Sequence, residues 1–370
     1  MNKSLFWLEL KSCLWYNAVM QNTTAQLAIL QQLFSNLAPS QKADFLAWVT
    51  TAPAVSVHAL ASSTENFLSK NRHFSVCPFC GSKHIVKNGH RNGRQRFRCA
   101  DCGKTFGMTH EDILFKTTKD IGIWTLYINC MIQKMTLRKS AATCGIHLAT
   151  AFAWRHKILD ALTNMMNEVK LDGVVEADET YEHISYKGNH KKSKNFTMPR
   201  EPHKRGTKAT KRGLSKEQVC VTTGVNGGGK SVGRISNLGK PSCKDLGSVL
   251  DGHVLGGSIF VTDSHRGYCK LAAAYGVSHI RIPRNHHVSQ GFGIQRVNGY
   301  HAALKGMINW HFRGVATKYL NNYVVWHNLV NFAKESESEK EGIMRDFVFT
   351  TRCESFWKKN VTRPPIPCAA

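Results

Sequence analysis

The chain has 370 residues, with 50 Lys and Arg against 25 Asp and Glu, a formal net charge of +25 at pH 7. An excess that large, and clustered, points to a polyanionic partner, most simply nucleic acid. No apolar run reaches the roughly 18 residues a membrane span needs, and no secretory signal pattern opens the chain. Of 12 cysteines, four have metal-ligand spacing and the rest are scattered, which fits a reducing cytoplasm better than a disulfide framework.

Residues 1–70 are nearly charge-balanced, with helical patterning over Ala25–Phe34 and a helix start at Ser40–Ala43 running to Trp48. Residues 71–116 carry the most specific local signal. Cys77-Pro78-Phe79-Cys80 and Cys99-Ala100-Asp101-Cys102 are two CxxC pairs separated by 18 residues, the spacing of a structural zinc ribbon. Four thiolates close a tetrahedral site and leave no open position for catalysis. Between the pairs, Ile85 to Arg98, which contains Asn88-Gly89 and Asn92-Gly93, reads as a basic hairpin with an Asn-Gly turn, with Arg94, Arg96 and Arg98 as phosphate contacts.

Residues 117–168 form a helical block. Leu137 to Leu159 has helix-turn-helix form: a short helix ends near Gly145, Ile146 packs the turn, and a longer helix carries Trp154, Arg155, His156 and Lys157. Arg155 and Lys157 are the expected DNA contacts. A plain helical hairpin is the competing reading.

Residues 169–334 alternate strands and helices, the pattern of a mixed α/β sheet. Val174-Val175-Glu176-Ala177-Asp178-Glu179 reads as a strand delivering Asp178, and Ser258 to Asp263 as a second strand delivering Asp263. Two such carboxylates side by side make a hard oxygen site for Mg²⁺ or Mn²⁺. Lys187 to Arg212 holds ten Lys or Arg and one Glu, so it is expected to be a surface loop tracking phosphates, Lys191, Lys192 and Arg205 among them. Asn226-Gly227-Gly228-Gly229-Lys230 lacks the spacing of a nucleotide-binding loop and reads as a hairpin turn. From Ser264 to Lys334 there is no Asp or Glu, so a third metal ligand cannot be a carboxylate there. On the helix from Gln295 to Ile308, Asn298, His301 and Lys305 share one face. Asn298 or His301 could complete a metal site, and Lys305 could reach a phosphate. Residues 335–370 read as a C-terminal tail.

These pieces together resemble bacterial insertion-sequence transposases of the DDE superfamily that carry an N-terminal zinc ribbon. The matching residues are the CxxC pairs, the helix-turn-helix, Glu176 to Tyr181, Val261-Thr262-Asp263, Asn298 with Lys305, and Phe312 to Tyr323. One branch of that group has Asn in place of the final Glu, with Lys seven residues on. The resemblance implies an RNase H-like catalytic domain following the N-terminal helices, ribbon and helix-turn-helix. It also implies two-metal phosphoryl transfer at Asp178, Asp263 and Asn298, with Lys305 assisting. The expected partners are the double-stranded ends of the chain's own element and target DNA, bound by a homo-oligomer in the bacterial cytoplasm at the nucleoid. A non-catalytic DNA-binding regulator, a simple metal-dependent nuclease and an inactive transposase copy are the alternatives.

Overall fold

The computed structural model describes residues 35–36, 38–43, 76–91, 94–107, 110, 113–115, 117–188, 214–351 and 362–368. The helix expected at 25–34, most of the helix expected from Ser40 to Trp48, the residues Asn92 and Gly93, and the loop cations Lys191, Lys192 and Arg205 lie outside them. Two compact units emerge, Met1–Asn71 with Thr118–Phe152, and Arg72–Thr117 with Ala153–Ala370.

In the first unit, helix α1 (Ile121–Ile132) starts at Asp120, whose carboxylate accepts the Gly122 N–H at 2.7 Å. It buries Trp124, Tyr127, Ile128 and Met131. Helix α2 (Leu137–Thr143) is capped by Thr136 and ends at Cys144. Gly145 then takes φ +58°, a left-handed value that only glycine adopts without strain. Buried Ile146 returns its N–H to the Ala141 carbonyl, and helix α3 (Leu148–Asn167) begins. The short helix, glycine turn and long helix follow the chain positions expected from sequence. The long helix crosses the division between units at Phe152.

The second unit contains the small β region. Strands β1 (Ile85–Arg91), β2 (Arg94–Cys99) and β3 (Thr105–Gly107) form an antiparallel sheet in the order β1-β2-β3. Side chains alternate along β2, so Phe97 stacks on Phe106 at 5.9 Å and Cys99 is buried, while Arg98 on the opposite face is exposed.

The main sheet is mixed and five-stranded. Strands β4 (Val174–His183), β5 (Gln218–Asn226) and β6 (Ser231–Leu238) are antiparallel. Strands β7 (Ile259–Thr262) and β8 (Ser278–Arg281) continue the sheet parallel to β4, giving the order β6-β5-β4-β7-β8. Strand β4 is therefore central, paired on both edges, which suits its β-branched start. Helices α4 (Cys243–Leu250) and α5 (Gly267–Tyr275) join the crossovers to β7 and β8. One core forms where Val175 and Ala177 meet Leu246, Leu250, Phe260, Tyr268 and Leu271. Each such large side chain contributes about 1.5–3 kcal/mol by leaving water.

The Asn226 turn is closed internally. Its Oδ1 accepts the N–H groups of Gly228 at 3.1 Å and Lys230 at 2.9 Å, so those donors are spent within the turn. A two-residue hairpin, β9 (Val288–Ser289) and β10 (Phe292–Gly293), precedes helix α6 (Gln295–Lys305). The α6 helix widens into a π-helical segment over Gly306–His311. A short turn at Thr317–Tyr319 leads into helix α7 (Leu320–His327). The segment read as a tail contains helix α8 (Glu337–Thr350), opened by a Ser336–Glu339 capping box and burying Met344, Val348 and Phe349.

Candidate active site and metal centre

Register brings the two aspartates together. Parallel β4 and β7 pair Ala177 with Thr262, so the next residue on each strand, Asp178 and Asp263, leaves the same sheet edge. Both side chains are half-buried. Burial is the largest cause pushing the Asp178 carboxyl up to about 6; the Asp263 charge adds to it, while the Glu179 backbone N–H and the Lys305 ammonium oppose it. Asp263 is oriented by the His265 N–H, which donates to Oδ1 at 2.8 Å.

Alternation along β4 sends Asp178 and Glu179 to opposite faces. Glu179 accepts the Tyr268 hydroxyl from α5 at 2.6 Å. Burial first, with the charges of Asp178 and Asp263 after it, pushes the Glu179 carboxyl up to about 7. Asp178 instead faces α6, where His301 Nδ1 lies 3.9 Å from Asp178 Oδ2. The Thr223 hydroxyl donates to the Asp178 carbonyl at 3.1 Å and lies 2.6 Å from His301 Nε2. With that proton on the carbonyl, Nε2–H is the donor to Thr223, and the Nδ1 lone pair faces Asp178. Burial holds the His301 imidazole down at about 4, so it is neutral near pH 7.

Asn298 is exposed in the first turn of α6, one turn before His301, and Lys305 is exposed one turn after it. Glu176, buried on β4 two residues before Asp178, fixes this helix. Its Oε1 accepts from Arg296 Nη1 at 2.9 Å and its Oε2 accepts the Val297 N–H at 3.1 Å. The far end of β4 is held by the Phe312–Thr317 segment. Thr317 exchanges hydrogen bonds with Ser185, and Lys187 Nζ donates to the carbonyls of Arg313 and Gly314. Sequence reasoning gave Glu176, Glu179, Thr223 and Tyr268 no role. The carboxylate pattern of β4 was the available signal for the first two.

Two hard carboxylates at one sheet edge, one of them raised in pKa by burial and by its neighbour, fit a divalent cation. The cation would relieve both the desolvation and the repulsion.

The four ribbon cysteines converge, with all sulfurs within 4.8 Å of one another. Cys77 Sγ and Cys102 Sγ are 3.7 Å apart, and Cys80 Sγ and Cys99 Sγ 3.6 Å. Four thiolates about 2.3 Å from one tetrahedral zinc would stand about 3.8 Å apart, so the spacing matches a metal site and excludes disulfides. Gly81 and Gly103, at φ +75° and +70°, turn the two knuckles. The Cys102 backbone N–H is the main cause holding the Cys99 thiol down at about 6, toward the ligating thiolate.

The expected DNA contacts fare unevenly. On β2, Arg98 is exposed, Arg96 is half-buried, and Arg94 holds the first position of the strand. Arg155 requires a correction. It is fully buried, with its guanidinium 4.7 Å from the Trp326 ring and 5.5 Å from Phe312, so it is a packing cation with no face left for a phosphate. Beside it, His156 stacks on Tyr319 at 3.9 Å, and Asp160 takes Arg363 Nη2 on both oxygens. Lys157 is half-buried and donates to the Ile113 carbonyl at 2.8 Å. Over residues 137–159 the exposed residues are instead Arg138, Lys139, Ala142, Gly145, His147, Leu148 and Ala149. Among the described residues, no helix is long and apolar enough to cross a membrane.

Residues 170–326 match the family described as the ISXO2-like transposase domain. The match runs from just before β4 to α7 and includes Asp178, Asp263, Asn298, His301 and Lys305. No curated protein matches the chain.

Proposed function

We propose, from the match of residues 170–326 to the ISXO2-like transposase domain family, that this chain cuts the ends of its own insertion sequence and joins them to target DNA. Convergence of Asp178 and Asp263 at one sheet edge through the β4–β7 register carries the reading. The strand order β6-β5-β4-β7-β8, antiparallel then parallel, supports an RNase H-like catalytic domain.

Asp178 and Asp263 would hold divalent cations, Mg²⁺ or Mn²⁺, which supply Lewis-acid stabilisation of the attacking and departing oxygens. Asn298 is the proposed third ligand. His301 is the second reading for that role, favoured by its neutral imidazole 3.9 Å from Asp178. Thr223 fixes the His301 tautomer, a support often found behind metal-bound histidines. Lys305 places a positive charge where the phosphoryl oxygens gain negative charge. Water attacks the phosphorus at the element end, the P–O3′ bond breaks, and a 3′ hydroxyl is left. That hydroxyl then attacks a target phosphodiester, forming a new P–O bond and releasing the target 3′ oxygen. Neither step needs a covalent link to the protein.

The ribbon is proposed to bind one structural Zn²⁺ through Cys77, Cys80, Cys99 and Cys102, and to present Arg94, Arg96 and Arg98 to phosphates. In the helix-turn-helix, base reading is proposed for the start of α3 at His147 to Ala149, because recognition helices touch base edges with their first residues. Lys157 is retained as a phosphate contact at its flank, and Lys191, Lys192 and Arg205 as non-specific cations. Double-stranded element ends bound by a homo-oligomer complete the proposal. The test is strand transfer by the purified chain with Mg²⁺ and DNA carrying the ends that flank its own gene. A joined product supports the proposal, cleavage alone indicates a nuclease, and binding alone indicates a regulator.

A further inference from the structure

An open cleft borders Asp263 on the α5 side of the sheet. Lys240, Ser264, His265, Arg266 and Lys270 line it, together with Cys243 at the start of α4. Lys240, Arg266 and Lys270 are exposed, and among the described residues none of the three side chains forms an ion pair or a hydrogen bond. Three cations line one cleft, and an anion placed there would be attracted by all of them. Lys240 also acts on the Glu179 carboxyl, opposing its burial, and the neighbouring carboxylates hydrogen-bond to other groups. Asp245 accepts from Ser242 and Asn237, Asp263 accepts the His265 N–H, and Glu179 accepts the Tyr268 hydroxyl.

The cleft also receives the N-terminus of α5, whose N-cap Arg266 makes no side-chain capping bond. The N–H groups of Gly267 and Tyr268 are taken up by His265, so the helix contributes its dipole rather than free donors to the positive potential there. At Gly267, a Cβ would stand 2.8 Å from Leu246 and 3.0 Å from the His265 ring, so glycine lets the backbone press close to both. Ser264 and His265, which line the cleft, directly follow Asp263 in the chain, and the His265 N–H donates to Asp263 Oδ1.

We propose that this cleft is a phosphodiester subsite that grips the DNA backbone beside the scissile bond, with Lys240, Arg266 and Lys270 as its cations. The inference rests on the transposase reading for the identity of the strand, and on the cleft's own charge for the anion. Because the cleft adjoins Asp263, a flanking phosphate held there fixes how the strand enters the metal edge, which counts as much as affinity.

The experiment is a methylphosphonate scan, in which single backbone phosphates of the end DNA are neutralised in turn. Binding to the parent and to the Lys240→Ala/Arg266→Ala/Lys270→Ala variant is measured without divalent cations. The parent should lose affinity several-fold at one or two phosphates flanking the cleaved bond. The variant should bind more weakly and be indifferent to neutralising those same phosphates. Its slope of log K against log salt should fall by about one for each phosphate it no longer neutralises. The three side chains are exposed, so the variant should melt as the parent does. Equal sensitivity of parent and variant at those phosphates, or a loss spread evenly along the duplex, overturns the subsite. Asp178→Asn assayed for cleavage on the same DNA separates the two claims. A flat scan with a dead Asp178→Asn sinks only the subsite, whereas an active Asp178→Asn sinks the catalytic reading.

Discussion

Glu176 and Arg296 join the central strand to the helix that faces it: Glu176 Oε1 accepts from Arg296 Nη1 at 2.9 Å, and Oε2 takes the Val297 N–H. Asp178 lies two residues along the strand and Asn298 two along the helix, so this buried carboxylate sets the distance between the two proposed ligands. Glu176→Ala would strand the buried Val297 N–H and release the half-exposed Arg296 guanidinium to solvent, at a cost of about 1–3 kcal/mol. Glu176→Gln keeps an acceptor and should cost less. Urea unfolding of Glu176→Gln, Arg296→Ala and the double variant should give non-additive losses. Simple additivity would mean the pair does not act as a unit.

Asp178 should destabilise the metal-free fold. Its folded pKa of about 6 lies above the ordinary 3.8, chiefly through burial, so the folded chain holds that proton more tightly than the unfolded chain. The group's contribution is complete below pH 3.8 and is lost as pH rises toward 6. Asp178→Asn removes that loss. In chelator at pH 8 it should be more stable than the parent by the order of 2 kcal/mol, and the gap should close near pH 4. Mg²⁺ should stabilise the parent selectively and reverse the order. Melting curves with no pH-dependent difference would contradict the burial and charge placed on Asp178.

Cys99→Ser should release the ribbon metal. Its thiol is buried at the second knuckle and held toward thiolate by the Cys102 N–H, so a hydroxyl cannot replace it. The expected outcome is about one Zn²⁺ per parent chain, none in the variant, and proteolytic cleavage confined to residues 76–107. Full zinc content in Cys99→Ser would refute the ligand set.

Arg155→Ala should reduce stability, by about 3 kcal/mol or more, because it empties the space beside Trp326 and Phe312. The folded fraction should bind DNA with parental sequence preference. His147→Ala should do the reverse, leaving the melting temperature within a few degrees and relaxing that preference. Loss of preference in Arg155→Ala without loss of stability would restore it to the DNA interface.

The strands bearing Asp178 and Asp263 were legible because each is an apolar run ending in a carboxylate, and the cysteine spacing was legible because knuckle geometry is local. Arg155 was misread because its partners, Phe312 and Trp326, lie far along the chain, and helix periodicity does not say what a face meets. The β9–β10 hairpin has two residues per strand, too few for an alternation signal. Helix α8 did carry a local signal, Ser336 with Glu339, but the charged run Glu335 to Glu341 masked it. The π-helical widening at Gly306–His311 has no sequence signature we can name.

The central claim is that Asp178 and Asp263 form one catalytic edge with α6 across from it. Strand transfer with Mg²⁺, by the parent and by Asp178→Asn and Asp263→Asn on the same end DNA, tests it most directly. The account predicts joined product from the parent, and neither cleavage nor joining above background from either variant, with DNA binding retained. Joining at parental rate by either Asp variant would contradict it.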